Sequence, residues 1–288
     1  MSPPSANHSL TRLLAGLTRG FSKSAVEQRG TVADYNDSHG VSVEIDGLWK
    51  GFAGRPVLQG IDLHIGAGEI FSILGPSGSG KSVLLKHLVK LIRPDRGRVL
   101  IDGEDIWNDT SKGSRGYRYS MVFQTSALFN SLTVGENVGL WLREKEVCPE
   151  ARIREIIKEK LDLVGLAGEE DRGIAELSGG MKKRVAIARS LAMNPDLILF
   201  DEPTAELDPI TTDELAQVIL DIRQRLDLTT VIVSHDLSFA LYLSDRVAMI
   251  GEGTIIEVGT PEEIKASTNL DVKRFLYTTT KGIGGGER

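Results

Sequence analysis

The residues with the clearest chemistry lie in a glycine-rich segment, residues 75–82, which reads GPSGSGKS and stands between two apolar runs. This segment, called here the phosphate loop, fits the pattern GxxxxGK(S/T) in the strand–loop–helix context that cradles phosphates. Its glycines let backbone N–H groups approach a polyphosphate, and the N-terminus of the following helix adds a positive dipole. Lys81 can then reach the outer phosphates, and the Ser82 hydroxyl can bind Mg²⁺. The alternative for this motif taken alone is a glycine-rich turn that binds nothing.

Polar residues follow two apolar runs further along the chain. Residues 197–200 lead into Asp201 and Glu202, and residues 230–234 lead into His235. Two carboxylates at the end of a buried strand are costly unless a cation or a reaction uses them. We expect Asp201 to bind Mg²⁺ through water, Glu202 to polarise the water that attacks the γ-phosphate, and His235 to contact that phosphate and hold the water or Glu202. Taken alone, Asp201 could be a helix cap and His235 an ordinary satisfied polar residue.

Two further residues could contact a nucleotide or its metal. Gln124 follows a strand candidate at residues 119–123, where its amide can reach a metal ion or a water molecule. Phe52 lies ahead of the phosphate loop, and its flat aromatic face could stack on a nucleotide base without selecting a particular base edge. The alternative for Phe52, and for Trp49 near it, is packing against a sheet.

A helix is predicted to start within residues 177–181, LSGGM, called here the LSGGM segment. Ser178 is a natural N-cap, and the apolar residues that follow recur at helical spacing. The start of such a helix attracts anions, because its first N–H groups lack partners within the helix.

The elements that must position these residues are short strands alternating with helices. The globular part begins near Val41, and polar residues gather after apolar strands, so we expect an α/β core with its chemistry at the carboxyl ends of the strands. The run at 197–200 is apolar throughout, as in a strand buried on both faces of a parallel sheet. Predicted strands cover residues 43–48, 57–65, 97–102, 119–123, 197–200, 230–234, 246–250 and 254–258, and predicted helices cover 149–165, 212–226, 270–277 and the segments that begin at Ser178 and Thr260.

Composition argues against several classes of protein. The 288-residue chain has a net charge of −6 and a pI near 5.5, which argues against general nucleic-acid binding. Its longest apolar runs are far shorter than the about 18 to 20 residues that cross a bilayer. The single cysteine, Cys148, cannot form an internal disulfide or a cysteine metal site, so a reducing compartment fits best.

Residues 1–40 are predicted to form a flexible or amphipathic N-terminal extension. Its leucines at 10, 13, 14 and 17 and Phe21 recur at helical spacing among basic residues. Three interpretations remain open: a disordered tail, a short helix on an anionic membrane or a partner, and an organelle-targeting peptide. We do not expect a secretory signal, because the segment has no continuous apolar region.

The order of these motifs resembles the nucleotide-binding subunits of ABC transporters over residues 41–259. The matching features are Phe52, the phosphate loop, Gln124, the LSGGM segment, LILFDE at 197–202, AELD at 205–208 and His235. The resemblance implies a P-loop NTPase of the ABC ATPase type, an α/β fold with a mostly parallel sheet core, an antiparallel β subdomain and an α-helical subdomain at about residues 125–190. It also implies ATP hydrolysis with Mg²⁺, an ATPase domain at 41–260 and a C-terminal helical tail at 261–288 whose end is disordered.

Site roles follow from the same resemblance. Catalysis is expected from Glu202, His235, Lys81 and Gln124, and metal binding from Ser82, Gln124 and Asp201. In this family two subunits pair head to tail, so each ATP lies between the phosphate loop of one copy and the LSGGM segment of the other. A homodimer agrees with the physics, because the two anion sites of one chain cannot reach the same phosphates. Nucleotide contacts are expected from Phe52, Gly75, Pro76, Ser77, Gly78, Ser79, Gly80, Lys81, Ser82, Val83, Ser178, Gly179 and Gly180.

A narrower resemblance is to the ATPases of Mla/Mce-type lipid transport systems. It is carried by FQTSALFNSLTVGENV at 123–138, SGGMKKRVAIARSL at 178–191 and STNLDVKRFL at 267–276. It implies phospholipid transport, an integral-membrane permease that meets residues 124–142, and an Mce-type lipid-binding protein as a further candidate partner. Glu206 departs from the family, which usually has a small residue there, and it adds a carboxylate near the subunit interface.

Two other functions remain as alternatives. One is the ATPase of an importer for a polar solute such as an amino acid or osmolyte, since the ATPase does not touch the cargo. The other is a non-transport ABC ATPase, against which stand a single cassette and the absence of a heptad insertion, a cysteine cluster and a basic balance. The expected location is peripheral, on the cytoplasmic side of the inner membrane, or on an organelle membrane if residues 1–40 are a targeting peptide. The tail after Thr260 is expected to contact the second subunit.

Overall fold

The computed structural model describes residues 39–108 and 117–281. The extension predicted over residues 1–40 therefore falls almost wholly outside the described residues, as does the end of the C-terminal tail. In the described part of the chain, no helix is both long and apolar enough to cross a membrane.

The described residues form two sheets. Their strands are β1 (Val43–Phe52), β2 (Arg55–Ile65), β3 (Ile70–Leu74), β4 (Arg96–Ile101), β5 (Glu104–Asp105), β6 (Tyr119–Val122), β7 (Leu197–Asp201), β8 (Thr229–Ser234), β9 (Arg246–Gly251) and β10 (Thr254–Gly259). The first sheet is antiparallel, in the order β2-β1-β4-β5. The second has the order β10-β9-β3-β8-β7-β6, in which β10 is antiparallel to β9 and the other neighbours are parallel. The predicted combination of a mostly parallel core with an antiparallel β subdomain is confirmed.

Helices fill most connections between the parallel strands. They are α1 (Lys81–Leu88), α2 (Val134–Glu144), α3 (Glu150–Leu163), α4 (Gly179–Leu191), α5 (Pro209–Arg225), α6 (Leu237–Leu243), α7 (Pro261–Ala266) and α8 (Leu270–Lys281). Helix α5 begins three residues earlier than the sequence predicts, because Asp208 accepts a hydrogen bond from Thr211 N at 3.0 Å and Pro209 suits the first helical position. Helix α2 was not predicted.

The parallel sheet is covered on both faces. Successive side chains of a strand point to opposite faces, so Leu197 and Leu199 of β7 pack with α1 and the antiparallel sheet, while Ile198 and Phe200 pack with α2 to α6. This double burial explains why the strand is apolar at every position. It leaves the strand ends as the place where polar residues can gather.

Helices α2, α3 and α4 pack against one another and share one apolar cluster with the parallel sheet. Thr133 caps α2 in a reciprocal capping box with Glu136, and it bridges to Gly173, ahead of the LSGGM segment. Gly135 N also donates to Glu170 O at 2.8 Å. The start of α2 is thereby attached to the segment that leads into α4.

The C-terminal helices pack against β9 and β10, at the edge of the larger sheet opposite β6. Thr260 and Glu263 form the capping box that the sequence predicts for α7. Val272 of α8 is fully buried with Leu74 and Met249 in a small apolar cluster. Leu270 and Tyr277 of α8 remain exposed.

Candidate functional site

The predicted site residues meet at one edge of the parallel sheet. The phosphate loop follows β3, His235 follows β8, Asp201 and Glu202 end β7, and Gln124 lies two residues beyond β6. These four strands are consecutive neighbours and run parallel, so their carboxyl ends share one edge. Residues separated by up to 160 positions in the sequence are therefore brought side by side, as expected for a ligand site in an open α/β sheet.

Glycine is required in the phosphate loop for two different reasons. Gly78 and Gly80 adopt left-handed backbone angles, with φ of 82° and 103°. A Cβ added at Gly75 would lie 2.2 Å from the carbonyl oxygen of Ile250 in β9, a backbone atom that cannot rotate away. The loop is held between β2, which lies against Gly80, and β9, which lies against Gly75.

Lys81 is buried beneath this loop. Its Nζ donates to the carbonyl oxygens of Gly75 at 2.8 Å and Pro76 at 3.1 Å, and lies 3.9 Å from Glu202 Oε1. Burial lowers the pKa of Lys81, and the carboxylates of Glu202 and Asp201 oppose that shift. The ammonium group is thus positioned by the loop itself, with its charge close to where phosphates would bind.

Ser82 and Asp201 supply two converging oxygen ligands. Ser82 Oγ donates to Asp201 Oδ1 at 2.9 Å, and burial is the main reason that the pKa of Asp201 is raised. Within the described ranges, no group of three or more His, Cys, Asp or Glu side chains is arranged to hold a metal. The hydroxyl and carboxylate could hold a hard cation such as Mg²⁺ whose remaining ligands come from phosphates and water.

Glu202 and His235 form a direct pair. Glu202 Oε2 accepts from His235 N at 3.1 Å and lies 2.7 Å from His235 Nδ1, which donates when that nitrogen carries the proton. Glu202 has a left-handed φ of 51°, and its N–H donates to Val233 O at 2.9 Å. The carboxylate is 16% exposed and the imidazole is 64% exposed. The histidine can therefore orient a carboxylate that faces the phosphate loop.

Phe52 and Gln124 are both exposed, and both lie outside the buried core. Phe52 is 44% exposed at the end of β1, with Lys50 Nζ 5.5 Å from its ring centroid. Trp49 is also exposed and lies against Gly60. The Gln124 side chain makes no hydrogen bond in the described structure. Both Phe52 and Gln124 are thus accessible to a ligand.

The LSGGM segment is not brought to the phosphate loop. Ser178 Oγ accepts from Met181 N at 3.2 Å, so Ser178 caps α4 as predicted. Ser178 and Gly179 are exposed, whereas Gly180 is buried, and a Cβ added there would lie 2.3 Å from Thr211 Cγ2. Among the described residues, no hydrogen bond or ion pair joins this segment to the phosphate loop. The start of α4 is therefore accessible to an anionic ligand at Ser178 and Gly179.

Two cations of α4 were missed by the sequence reasoning. Lys183 is 5% exposed and donates to the carbonyl oxygen of Gln124. Arg189 donates to Ala127 O at 2.7 Å and to Ser126 O at 2.9 Å, and burial lowers its pKa to about 10. Their partners are backbone atoms about 60 residues away, which no side-chain pattern can reveal. The sequence offered one signal, which is that Lys183 and Arg189 are two of four basic residues in an otherwise mostly apolar helix.

Comparison with known proteins places these features in a family. The family model described as ABC transporter matches residues 58–205. The probable ribonucleotide transport ATP-binding protein mkl of Mycobacterium tuberculosis is 41% identical over 239 residues, which cover 82% of this chain and 67% of that protein. The intermembrane phospholipid transport system ATP-binding protein MlaF of Haemophilus influenzae is 36% identical over 242 residues, covering 83% of this chain and 92% of the relative.

A solved structure agrees with these relatives. The dimeric ATP-binding cassette MJ0796, in a post-hydrolysis state bound to ADP and Pi, superposes with a TM-score of 0.66. It is 32% identical, and the match covers 76% of this chain and 98% of that one. The chain therefore belongs to the ABC transporter family, as an ATP-binding subunit that hydrolyses ATP for a transporter.

Proposed function

We propose that this subunit energises the movement of phospholipid or a related lipid between membranes, in a transporter of the Mla/Mce type. The observation that carries the proposal is the extent of the match to the phospholipid transport relative, 92% of whose length is covered, against 67% for the ribonucleotide transport relative. The segments at 123–138, 178–191 and 267–276 support the same choice. The alternative cargo is a polar solute, which the higher identity to the ribonucleotide transport relative favours.

The geometry supports a role for each residue around the nucleotide. Phe52 stacks on the base, while the backbone of the phosphate loop and the Lys81 ammonium bind the phosphates. Ser82, Gln124 and Asp201 hold Mg²⁺, which supplies charge neutralisation at the phosphate oxygens. Glu202 orients and polarises the attacking water, and His235 keeps the Glu202 carboxylate directed at it, as their 2.7 Å contact allows.

The second half of the site comes from another copy. Ser178, Gly179 and the N-terminus of α4 bind the phosphates held by the partner's phosphate loop, since they are exposed and meet no phosphate site of their own chain. ATP binding then closes the dimer and hydrolysis releases it. Residues 124–142, which run from Gln124 into α2, transmit this change to the permease.

Affinity purification from detergent-solubilised membranes tests the cargo. We expect an integral-membrane permease, an Mce-type partner and bound phospholipid, identified by mass spectrometry of proteins and lipids. Recovery of a permease with a solute-binding protein and no phospholipid would overturn the lipid proposal in favour of the polar-solute alternative.

Fractionation tests the proposed location. We expect the protein to sediment with inner membranes and to be released when the permease is absent, as for a peripheral subunit on the cytoplasmic side. A protein that stays in the soluble fraction with no membrane partner would instead support a non-transport ABC ATPase.

A further inference from the structure

The loop that follows β6 is held by cations from a different part of the chain. Lys183 donates to the carbonyl oxygen of Gln124, and Arg189 donates to those of Ser126 and Ala127. Both cations lie on α4, the helix that begins in the LSGGM segment. Three carbonyl groups of one short loop therefore depend on a single helix, through hydrogen bonds of the stronger, charge-assisted kind.

The same loop has an unfavourable backbone conformation. Ser126 and Ala127 are consecutive non-glycine residues with left-handed φ angles of 60° and 47°. Each such residue costs of the order of 1 kcal/mol, and the conformation persists only where its surroundings impose it. Without the α4 cations the loop has a reason to relax, and Gln124 would move with it.

Lys183 has an electrostatic neighbour in the segment after β7. Burial lowers the pKa of Lys183, and the charge of Glu206 opposes that shift. Glu206 is exposed, with a left-handed φ of 67°, in the AELD segment at residues 205–208. The residue that departs from the family pattern therefore helps to keep a buried ammonium charged.

We propose that Lys183 is a positioning residue for ATP hydrolysis: it ties the backbone of Gln124 to the helix that begins at Ser178. The proposal rests on the role proposed above for Gln124 at the metal or the water. A helix transmits displacement along its axis, and Lys183 lies five residues beyond Ser178. Docking of a second subunit on Ser178 would therefore be felt at Gln124 through one hydrogen bond.

Substitution Lys183→Met tests this role, since methionine keeps the length of the side chain but removes the charge and the donor. We expect kcat for ATP to fall by about tenfold, as for loss of a contact that orients a ligand group, with KM within twofold of wild type. The phosphate loop and Phe52 are untouched, so nucleotide affinity should persist. Lys183→Arg retains a cationic donor and should restore kcat to within about twofold.

Lys182→Met is the matched control on the same helix. The side chain of Lys182 is half-buried and makes no hydrogen bond in the described structure, so this variant should keep both kinetic constants. An unchanged kcat in Lys183→Met would overturn the proposal. So would a loss that Lys183→Arg fails to restore while thermal unfolding stays at the wild-type midpoint, or an equal loss in the control.

Glu202→Gln, assayed in parallel, reports on the proposed catalytic site itself: if it retains turnover the site assignment fails, whatever Lys183→Met does.

Discussion

The phosphate loop and the LSGGM segment are both glycine-rich helix starts, yet the structure treats them in opposite ways. The phosphate loop is walled in by backbone atoms, with Ile250 O against Gly75 and a buried Lys81 beneath it. The LSGGM segment is exposed at Ser178 and Gly179, and Thr211, the neighbour that a Cβ at Gly180 would meet, approaches with a side chain. One half-site is built into the sheet, and the other is presented outward.

We expect this difference to separate nucleotide binding from turnover. A site walled by its own backbone can bind phosphates in a single subunit, whereas an exposed helix start contributes only when a partner brings phosphates to it. Substitutions in the phosphate loop should therefore impair nucleotide binding, whereas substitutions in the LSGGM segment should impair turnover and leave binding intact.

The largest effect is expected from Glu202→Gln. Removing the carboxylate that His235 holds should reduce phosphate release by at least about 10²-fold, while equilibrium ATP binding is kept. In the presence of ATP the closed dimer should then accumulate, which gel filtration would detect. Glu252→Gln, at an exposed turn between β9 and β10, is the control and should hydrolyse ATP normally. A normal rate in Glu202→Gln would remove the residue from the mechanism.

Mixing two inactive variants tests whether the half-sites belong to different copies. Lys81→Met damages the phosphate loop and Ser178→Arg damages the LSGGM segment, so each should be inactive alone. In a head-to-tail dimer of one copy of each, both defects fall in one site and the other site is intact. We expect the mixture to regain ATPase activity. A mixture as inactive as its components would argue that each chain completes its own site.

Paired glycine substitutions compare the surroundings of the phosphate loop and the LSGGM segment directly. Gly75→Ala meets a backbone carbonyl and should abolish nucleotide binding, measured by calorimetry on the single subunit. Gly180→Ala meets only Thr211 Cγ2, so overpacking of about 1 to 3 kcal/mol should lower turnover and leave binding intact.

Thr211→Ser provides the control for this pair. It removes the offending methyl group and keeps the hydroxyl that donates to Asp208 Oδ2 at 2.6 Å. Gly180→Ala with Thr211→Ser should therefore recover turnover. Failure to recover would mean that the glycine is needed for something other than space.

The smallest effect is expected at the C-terminal tail. Leu270 is 80% exposed and Tyr277 is 58% exposed, so replacing both with serine should weaken the dimer slightly if α8 touches the second subunit. Gel filtration over a range of concentrations measures this. Val272→Ser instead breaks the buried cluster and should lower the unfolding midpoint. An unaltered dimer in the double variant would count against the tail contact.

The sequence predicted the strands and the residues at their ends because apolar runs and punctuating polar residues are local signals. The run at 197–200 and the N-caps Ser178 and Thr260 are examples. Helix α2 escaped prediction because Gly135 and Gly139 lower its intrinsic propensity, and packing against α3 and α4 overrides that preference.

The arrangement of the site was only partly predictable for a related reason. The motifs indicate which residues act, but the order β3-β8-β7-β6 that makes them neighbours is set by long-range pairing. The Glu202–His235 contact was anticipated as one of two options for the histidine. Lys183 was invisible because its partner is a backbone carbonyl, which every residue carries.

The wall that Ile250 provides for Gly75 has a bearing on how the protein is made. Strand β3 lies between β8 and β9, both of which leave the ribosome long after the glycine-rich motif has emerged. A nascent chain that carries all of GPSGSGKS but lacks β9 has the motif without its cradle. We therefore expect nucleotide to bind the phosphate loop only after β9 has been synthesised and has paired with β3.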